Sequence, residues 1–412
     1  MDKALIDRNR LFSASSLALV VTAFTFAIRA NLLETLGNEF ELTPTQIGAV
    51  ASAAFWGFTL SMFIGGPLCD KIGLGRMYTF AFLGHLIGIL STLFAQGFYS
   101  LFISTLLVGF ANGFIESASY TLVSSLYPQN KAKRINDWHI WFPAGIVIGG
   151  LVGYVLTSLG MGWRIQMLVM IPPTLVYGWM FYKQRFPVSE RISMGISDRE
   201  MARECLKPLF LAMVCMMLLT AATELGTNQW IVALLANVGV PAILLLVFIN
   251  GLMTLGRMYA STVLRWLPTT GLLLYSAVLA CLGLLWLGSA QGWQAFLAAG
   301  LFALGICYFW PTMVGFVSEN LPRTGPMGLS IMGGAGLMST AIVLPLFGTL
   351  YEHKLTEAQQ IASQTQTAEA LHLAAGAATL QTAAILPGVL IVGFALLHGY
   401  QRNRKNKTKQ EK

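Results

Sequence analysis

The chain has 412 residues, of which 55% are hydrophobic and only 11% are charged, and its formal net charge is +8 at pH 7. Because soluble domains carry about 25% charged residues, this composition excludes an ordinary soluble protein. The five cysteines are scattered along the chain, so neither a disulfide framework nor a metal site is predicted.

Apolar runs long enough to cross a bilayer core of about 30 Å recur from end to end. They are continuous rather than short and alternating, which favours membrane helices over a barrel. The first run is too long for a cleaved signal and is predicted to stay as an anchor. We therefore predict an all-α polytopic membrane protein with twelve transmembrane helices, near 12–36, 45–68, 77–96, 99–126, 136–160, 164–183, 207–236, 240–263, 270–289, 293–318, 328–351 and 378–399.

A polar, charged segment at 184–206 divides the chain into two halves of six spans. We predict an N-terminal six-helix bundle at 1–183, this cytoplasmic linker, a C-terminal six-helix bundle at 207–400 and a basic cytoplasmic tail at 401–412. A second polar segment, at 352–377, predicts a short helix or a loop outside the membrane.

Charge placement predicts the orientation. With both termini in the cytoplasm, 23 of the 26 lysines and arginines fall in cytoplasmic segments, Arg257 among them. This bias follows the positive-inside rule, and attraction to an anionic inner leaflet accounts for the net charge without nucleic acid. We expect a multi-pass protein of a bacterial inner membrane, present as a monomer.

One acid stands alone in the fourth span. Glu116 is the only charged residue between Leu107 and Leu126. An acid at the centre of a membrane helix costs about 2.5–3.5 kcal/mol on insertion scales, so such residues face a cavity, a bundle interior or a partner. Asn112 and Tyr120 lie one turn before and after it and share its helix face.

The loop after the second span reads GPLCDKIGLGR. Gly66 permits close helix approach, Asp70 can lie against a helix N-terminus, and Lys71 and Arg76 hold the loop inside. The Gly-x-Leu-x-Asp-Lys-x-Gly spacing, which ends at Gly73, resembles the signature loop of the major facilitator superfamily. That resemblance implies a carrier of two six-helix bundles, with these five residues in a gating motif.

Further stretches resemble fucose–proton symporter-like carriers of that superfamily. They are GFIESASYT around Glu116, RINDWHIWFPAGIVIGG around His139, TELGTNQWI around Glu224, and LPRTGPMGLSIMGGAG near residue 330. His139, near the cytoplasmic end of the fifth span, is predicted to be a gate or structural residue. The fifth span lacks the Gly-Pro motif of drug–proton antiporters, which argues against efflux.

Two further positions extend the resemblance. The counterpart of the signature loop in the second half keeps Gly256 and Arg257 but lacks the acid, so Arg257 is predicted as a motif residue. In the first span, IRANL with Arg29 resembles organic anion–cation symporters, which use such an arginine to hold a carboxylate.

Residues at matching depths in the two halves suggest one cavity. Arg29 and Glu224 correspond in spans 1 and 7, and Glu116 and Trp310 correspond in spans 4 and 10. In carriers built from repeats the site lies near the midplane where the repeats meet, so these four are predicted to line it. In the alternative interpretation, Arg29 and Glu116 form a neutral structural pair and Glu224 caps or crosses to a helix.

The candidate residues divide into two roles. Proton coupling is predicted for Glu116 and Glu224. Amides can bind hydroxyls or join helices, and tryptophans can stack on a sugar or anchor a span. The predicted solute-binding residues are Arg29, Asn112, Tyr120, Glu224, Asn228, Trp230, Asn250 and Trp310.

We expect a secondary carrier that moves a small polar solute by alternating access, with no cofactor and no enzymatic activity. The first hypothesis is proton-coupled symport of a sugar or sugar derivative. The second is proton-coupled symport of an organic anion such as a sugar acid, with Arg29 binding the carboxylate. A third, of another class, is a transporter-like sensor that binds a solute without moving it.

Overall fold

The computed structural model describes residues 6–129, 131–188, 197–236, 238–361 and 367–410. A π-helical turn, Ala222–Gly226, joins the helix Pro208–Ala221 to the helix Thr227–Leu234, and a 3-10 turn, Pro322–Thr324, precedes the helix Gly325–Ile361. The α-helices of these ranges are α1 (Arg8–Glu39), α2 (Pro44–Ile72), α3 (Leu74–Leu93), α4 (Phe98–Leu126), α5 (Lys131–His139), α6 (Trp141–Ser158), α7 (Trp163–Leu168), α8 (Ile171–Phe181), α9 (Asp198–Cys205), α10 (Pro208–Ala221), α11 (Thr227–Leu234), α12 (Ala242–Met258), α13 (Ala260–Trp266), α14 (Thr269–Leu287), α15 (Gln294–Ile306), α16 (Phe309–Asn320), α17 (Gly325–Ile361), α18 (Ala368–Ala383) and α19 (Ile385–Gln410).

These helices form the predicted membrane spans in the predicted order. Within the described residues, ten helical stretches are long and apolar enough to cross a membrane, and α12 is a shorter apolar helix of 17 residues. The pair α7 and α8 supplies the sixth span. The all-helical, twelve-span prediction is therefore confirmed.

Several spans are interrupted where the sequence prediction treated them as continuous. A proline has no N–H for the carbonyl four residues earlier, and its ring crowds that carbonyl, so a helix breaks there. In spans 5, 6, 10 and 12, a helix ends at the residue four positions before a proline, or one residue earlier. The residue whose carbonyl loses its N–H partner and the proline responsible are His139 and Pro143, Leu168 and Pro172, Cys307 and Pro311, and Ala383 and Pro387.

The two polar segments differ from their predictions in detail. The 184–206 segment contains the short helix α9, and its residues 189–196 lie outside the described ranges. In the 352–377 segment, α17 continues to Ile361 and α18 already begins at Ala368. Spans 11 and 12 therefore both extend into this segment, and its residues 362–366 lie outside the described ranges.

Glycines bring the helices of the first half into backbone contact. A Cβ atom at Gly109 of α4 would collide with the Ala54 carbonyl of α2, and one at Gly113 would collide with the Phe58 carbonyl. Small residues permit this close approach, which drives helix association where water provides no hydrophobic force. The α1–α6 contact uses the same device, through Gly145 and Gly149.

The most extensive contacts between the two halves run along two helix pairs. In one pair, α2 packs on α17: Gly48 meets Pro345 near one end, and Gly66 meets Ser330 near the other. The two α2 positions are about 27 Å apart at 1.5 Å per residue, so the contact extends over most of a membrane span. In the other pair, α6 packs on α12, where Gly150 lies against Val247. These two pairs enclose a space between the halves.

The residues of the predicted signature loop are almost all helical, because α2 continues to Ile72 and α3 begins at Leu74, with only Gly73 between them. Gly73 has φ = 85°, a left-handed conformation that glycine adopts without strain. Lys71 and Arg76 are exposed, and the side chain of Asp70 lies outside what the structure describes. Gly66 fulfils the expected close approach, because its Cβ position is 2.7 Å from the Ser330 hydroxyl.

The α2–α4 contact generates a stability prediction. Replacing Gly109 with alanine forces a methyl group against the Ala54 backbone, and such overpacking costs about 1–3 kcal/mol. The matched control is Gly315→Ala in α16, where a Cβ atom meets nothing within 4 Å. We expect thermal unfolding in detergent to show a lower melting temperature for Gly109→Ala only. Equal melting temperatures for the two variants would contradict the packing described here.

Candidate functional site

A narrow cavity lies between the two halves, with a volume of about 330 Å³ including the part open to solvent. Four of its nine lining side chains can carry charge, and the other five are aromatic or aliphatic. Both halves of the chain contribute to it. The lining residues are Phe58, Glu116, His139, Phe142, Glu224, Leu225, Arg257, Trp310 and Leu337.

A buried ion pair forms the second-half side of this cavity. Arg257 Nη2 donates to Glu224 Oε1 at 3.0 Å, and the two side chains are only 2% and 4% exposed. Glu224 lies in the π-helical turn, a distortion that is frequent at functional sites. Its second oxygen, Oε2, is buried and has no hydrogen-bond partner among the described residues. An acceptor is therefore available to a donor inside the cavity.

A broken helix supplies the second acceptor for Arg257. Its Nε donates to the Cys307 carbonyl at 3.0 Å. In a regular helix this carbonyl would accept from residue 311, which is a proline and has no N–H. Pro311 therefore frees the oxygen that helps to hold the guanidinium in place.

A hydrogen-bonded cluster around Tyr120 forms the opposite side. The Tyr120 hydroxyl donates to Glu116 Oε1 at 2.8 Å and accepts from Trp310 Nε1 at 3.3 Å. It also lies 2.7 Å from His139 Nε2. Because a hydroxyl has a single hydrogen, this nitrogen is assigned as protonated and donating. The cluster joins α4 and α5 to α16, and so joins the two halves.

The formal charges of the cavity favour some solutes over others. With Glu116 and Glu224 ionised and His139 neutral, two carboxylates face the single guanidinium of Arg257. An excess negative charge in a desolvated site attracts hydrogen-bond donors and protons and repels anions. The arrangement can bind a neutral hydroxylated solute against aromatic rings.

The geometry agrees with a comparison of the sequence with known families. The family model described as Major Facilitator Superfamily matches residues 15–291. The chain belongs to the Major Facilitator Superfamily. Its family is one of transporters rather than enzymes, and its architecture is the two-bundle, twelve-helix fold expected from the sequence.

Relatives of this superfamily protein include named sugar carriers. A D-xylose transporter of Levilactobacillus brevis is 26% identical over 142 residues, which is 34% of this chain and 31% of that relative. A D-xylose-proton symporter structure superposes with a TM-score of 0.75 at 14% identity, covering 93% of this chain and 97% of that one. The Escherichia coli fucose:proton symporter gives 0.64 at 15% identity, covering 92% and 98%. At these identities the two structures show the shared fold.

Within the superfamily fold, three of the four predicted cavity residues meet. Glu116, Glu224 and Trp310 line the cavity, whereas Arg29 does not. Arg29 is 6% exposed, and its Nη1 has no hydrogen-bond partner among the described residues. The alternative of an Arg29–Glu116 pair also differs from the structure, where the Glu116 carboxylate is bonded to Tyr120.

The placement of Arg257 needs correction. Arg257 was expected in a cytoplasmic segment, yet it is buried in the cavity lining, where Glu224 and the Cys307 carbonyl accept its hydrogens. His139, predicted to be a gate or structural residue, lines the cavity, and its Nε2 lies 2.7 Å from the Tyr120 hydroxyl. Its role stays a prediction. The sequence assigns Glu224 no basic partner within its own span, and this was the signal from which a basic residue on another span could have been predicted.

Asn112 lies in a different network from the one predicted. Its amide donates to Thr25 Oγ1 at 3.0 Å, and its carbonyl accepts from His85 Nε2 at 2.7 Å. His85 Nδ1 in turn lies 2.9 Å from the Tyr177 hydroxyl. These bonds join α1, α3, α4 and α8. Both the nitrogen and the carbonyl of the Asn112 side chain are therefore bonded within the bundle.

Three other predicted binding residues are also engaged outside the cavity lining. Asn250 donates to the Leu246 carbonyl at 2.9 Å and lies 3.5 Å from Asn228 Oδ1. Trp230 donates to the Leu344 carbonyl at 3.0 Å. These contacts join α11 to α12 and to α17, which is the alternative role given above for amides in membrane spans.

The buried pair generates a prediction. Removing one partner of a buried ion pair costs about 3–5 kcal/mol, because the other charge stays buried and uncompensated. We expect Arg257→Met to lower the melting temperature more than Arg257→Met combined with Glu224→Gln, measured by thermal unfolding in detergent.

The matched control for this prediction is a surface pair. Arg164 lies 3.6 Å from Glu39, with side chains 54% and 43% exposed, and exposed pairs contribute little. Arg164→Gln should leave the melting temperature nearly unchanged. A double variant less stable than Arg257→Met would show that the Glu224 charge is not the source of the loss.

Proposed function

We propose that this protein is a secondary carrier that moves a sugar or sugar derivative together with a proton by alternating access. The observation that carries the proposal is the cavity between the halves, where two buried carboxylates face aromatic rings. One of them, Glu224, keeps a free acceptor oxygen.

The cavity chemistry fits a neutral hydroxylated solute. A sugar hydroxyl can donate to Glu224 Oε2 and satisfy an otherwise costly buried acceptor. The apolar face of a sugar ring can pack on Trp310, Phe58 or Phe142. The similarity to a D-xylose transporter, a D-xylose-proton symporter and a fucose:proton symporter supports the same solute class.

Glu116 is the better proton site of the two acids. Its hydrogen-bond partner is the Tyr120 hydroxyl, whereas Glu224 is held by a guanidinium. Neutralising Glu224 would break an ion pair and leave Arg257 buried with less compensation. A proton on Glu116 changes the charge of the cavity and leaves that pair intact.

The orientation and organisation belong to this proposal. We propose that the protein lies in a bacterial inner membrane with both termini on the cytoplasmic side. We also propose that the bundles divide at 184–206 and that the carrier is a monomer. Exposed Lys71 and Arg76 after the second span support the orientation through the positive-inside rule.

Glu116→Gln tests the coupling. After a thermal-shift screen against sugars has selected a ligand, with D-xylose as the first probe, the variant should lose accumulation against a gradient in proteoliposomes. It should retain counterflow exchange, because exchange needs no net proton movement. The control is Glu369→Gln at an exposed position at the start of α18. Unchanged accumulation by Glu116→Gln would refute the assignment.

A second candidate function rests on Arg29. A buried guanidinium whose Nη1 lacks a hydrogen-bond partner among the described residues is a receptor for a carboxylate if the cavity extends to it in another conformation. If the solute is an organic anion such as a sugar acid, Arg29→Lys should reduce its uptake at least tenfold, because lysine cannot form a bidentate pair. Normal uptake of D-glucuronate by Arg29→Lys and Arg29→Ala would eliminate this candidate.

A further inference from the structure

The Tyr120 hydroxyl lies where the two bundles meet, and its hydrogen-bonding capacity is full. It donates once, to Glu116, and accepts twice, from Trp310 and His139. One hydrogen and two lone pairs are all that a hydroxyl has. A change in the hydrogen bond to one of these partners therefore alters the hydrogen bonds to the other two.

We propose that Tyr120 is a positioning residue that makes the contact between the bundles depend on the charge of Glu116. Ionised Glu116 holds the Tyr120 hydrogen and leaves both lone pairs for Trp310 and His139. Neutral Glu116 releases Trp310, and with it the bond from α4 to α16. The inference rests on the proposed function, since the change of charge is its proton step.

The relative strengths of the three bonds determine which one is lost. A hydrogen bond to a carboxylate is about twice as strong as one between neutral groups. Once Glu116 is protonated, its O–H donates to the Tyr120 oxygen while its carbonyl oxygen still accepts the Tyr120 hydrogen, so three donors compete for the two lone pairs of the hydroxyl. The Trp310 bond, at 3.3 Å, is longer than the His139 bond at 2.7 Å and is displaced first.

The remaining charged groups of the cavity do not replace Glu116 in this role. His139 faces it from α5, and Glu224 and Arg257 face it from the π-helical turn and α12. Glu224 and Arg257 are bonded to each other, and Arg257 is also fixed by the Cys307 carbonyl. Glu116 is thus the acid that can change charge without breaking an ion pair.

Losing the Trp310 hydrogen bond need not displace its ring. The indole also packs on Gly333 and Gly336 of α17, which belongs to the same half of the chain. The ring therefore stays with its own bundle when its N–H is released. Separation of α4 from α16 is the expected consequence.

The test uses hydrogen–deuterium exchange of the purified full chain at one fixed pH, with Glu116→Gln as the neutral form of the acid. Loss of a neutral hydrogen bond shifts a local opening equilibrium about fivefold. We expect Glu116→Gln and Trp310→Phe each to speed exchange about that much in peptides covering 118–129 and 306–318. The double variant should show no further increase.

A matched control and a second variant complete the design. Trp230 is another buried indole, but its N–H donates to Leu344 within the second half, so Trp230→Phe should leave those peptides unchanged. Tyr120→Phe removes the hydroxyl itself and should abolish the response to Glu116→Gln, which keeps the test open if Trp310→Phe fails to fold.

Additive effects of Glu116→Gln and Trp310→Phe, or a full response to Glu116→Gln in the Tyr120→Phe background, would overturn the inference. Because exchange needs no solute, these outcomes are independent of the transport assay. Uncoupled uptake without an exchange response would remove the Tyr120 link and leave Glu116 as the proton site. An exchange response with normal accumulation would keep the Tyr120 link and remove Glu116 as the proton site.

Discussion

The guanidinium of Arg257 is the group on which the cavity depends. Transferring an ion from water into a protein interior costs several kcal/mol, and good geometry with satisfied hydrogen bonds is needed to offset it. Here one acceptor comes from the π-helical turn of the seventh span and the other from the broken tenth span. Two separate distortions of helical structure therefore converge on one side chain.

The two halves share an architecture but differ in chemistry. The second half faces the cavity with a closed ion pair, whereas the first half presents an acid held by a tyrosine hydroxyl. A charge that is locked in an ion pair is costly to change, and a carboxylate bonded to a neutral donor is less so. Under the proposed function, the second half therefore keeps a fixed charge, and the first half provides the acid whose charge changes. A symmetric pair of ion pairs would have left the cavity without a group to titrate.

Much of the fold follows from the sequence because hydropathy and span length report directly on the bilayer. The proline interruptions follow from the missing N–H four residues later, but α17 continues through Pro345, so a proline in the sequence does not by itself identify a break. The site was predicted in part. Glu116, Glu224 and Trp310 meet as expected, but matching Arg29 to Glu224 by depth was not sufficient. Depth along a span leaves the rotation about its axis undefined, and one residue turns the side chain by about 100°. The partners of Arg257 lie 33 and 50 residues away, on other helices.

The contacts that enclose the cavity differ in kind from those inside it. Along α2 and α17, side chains such as Met62 and Phe63 lie against the glycines at 333 and 334, so the surfaces are apolar and smooth. Dispersion contacts of this kind are not directional, and small sliding movements change their energy little. A hydrogen bond, in contrast, weakens steeply when its angle changes. The hydrogen bond between Trp310 and Tyr120 is, unlike these surfaces, a directional contact between the bundles. If the proposed function holds, this directional contact lies beside the site of solute and proton binding, so occupancy of the cavity can decide when the bundles move.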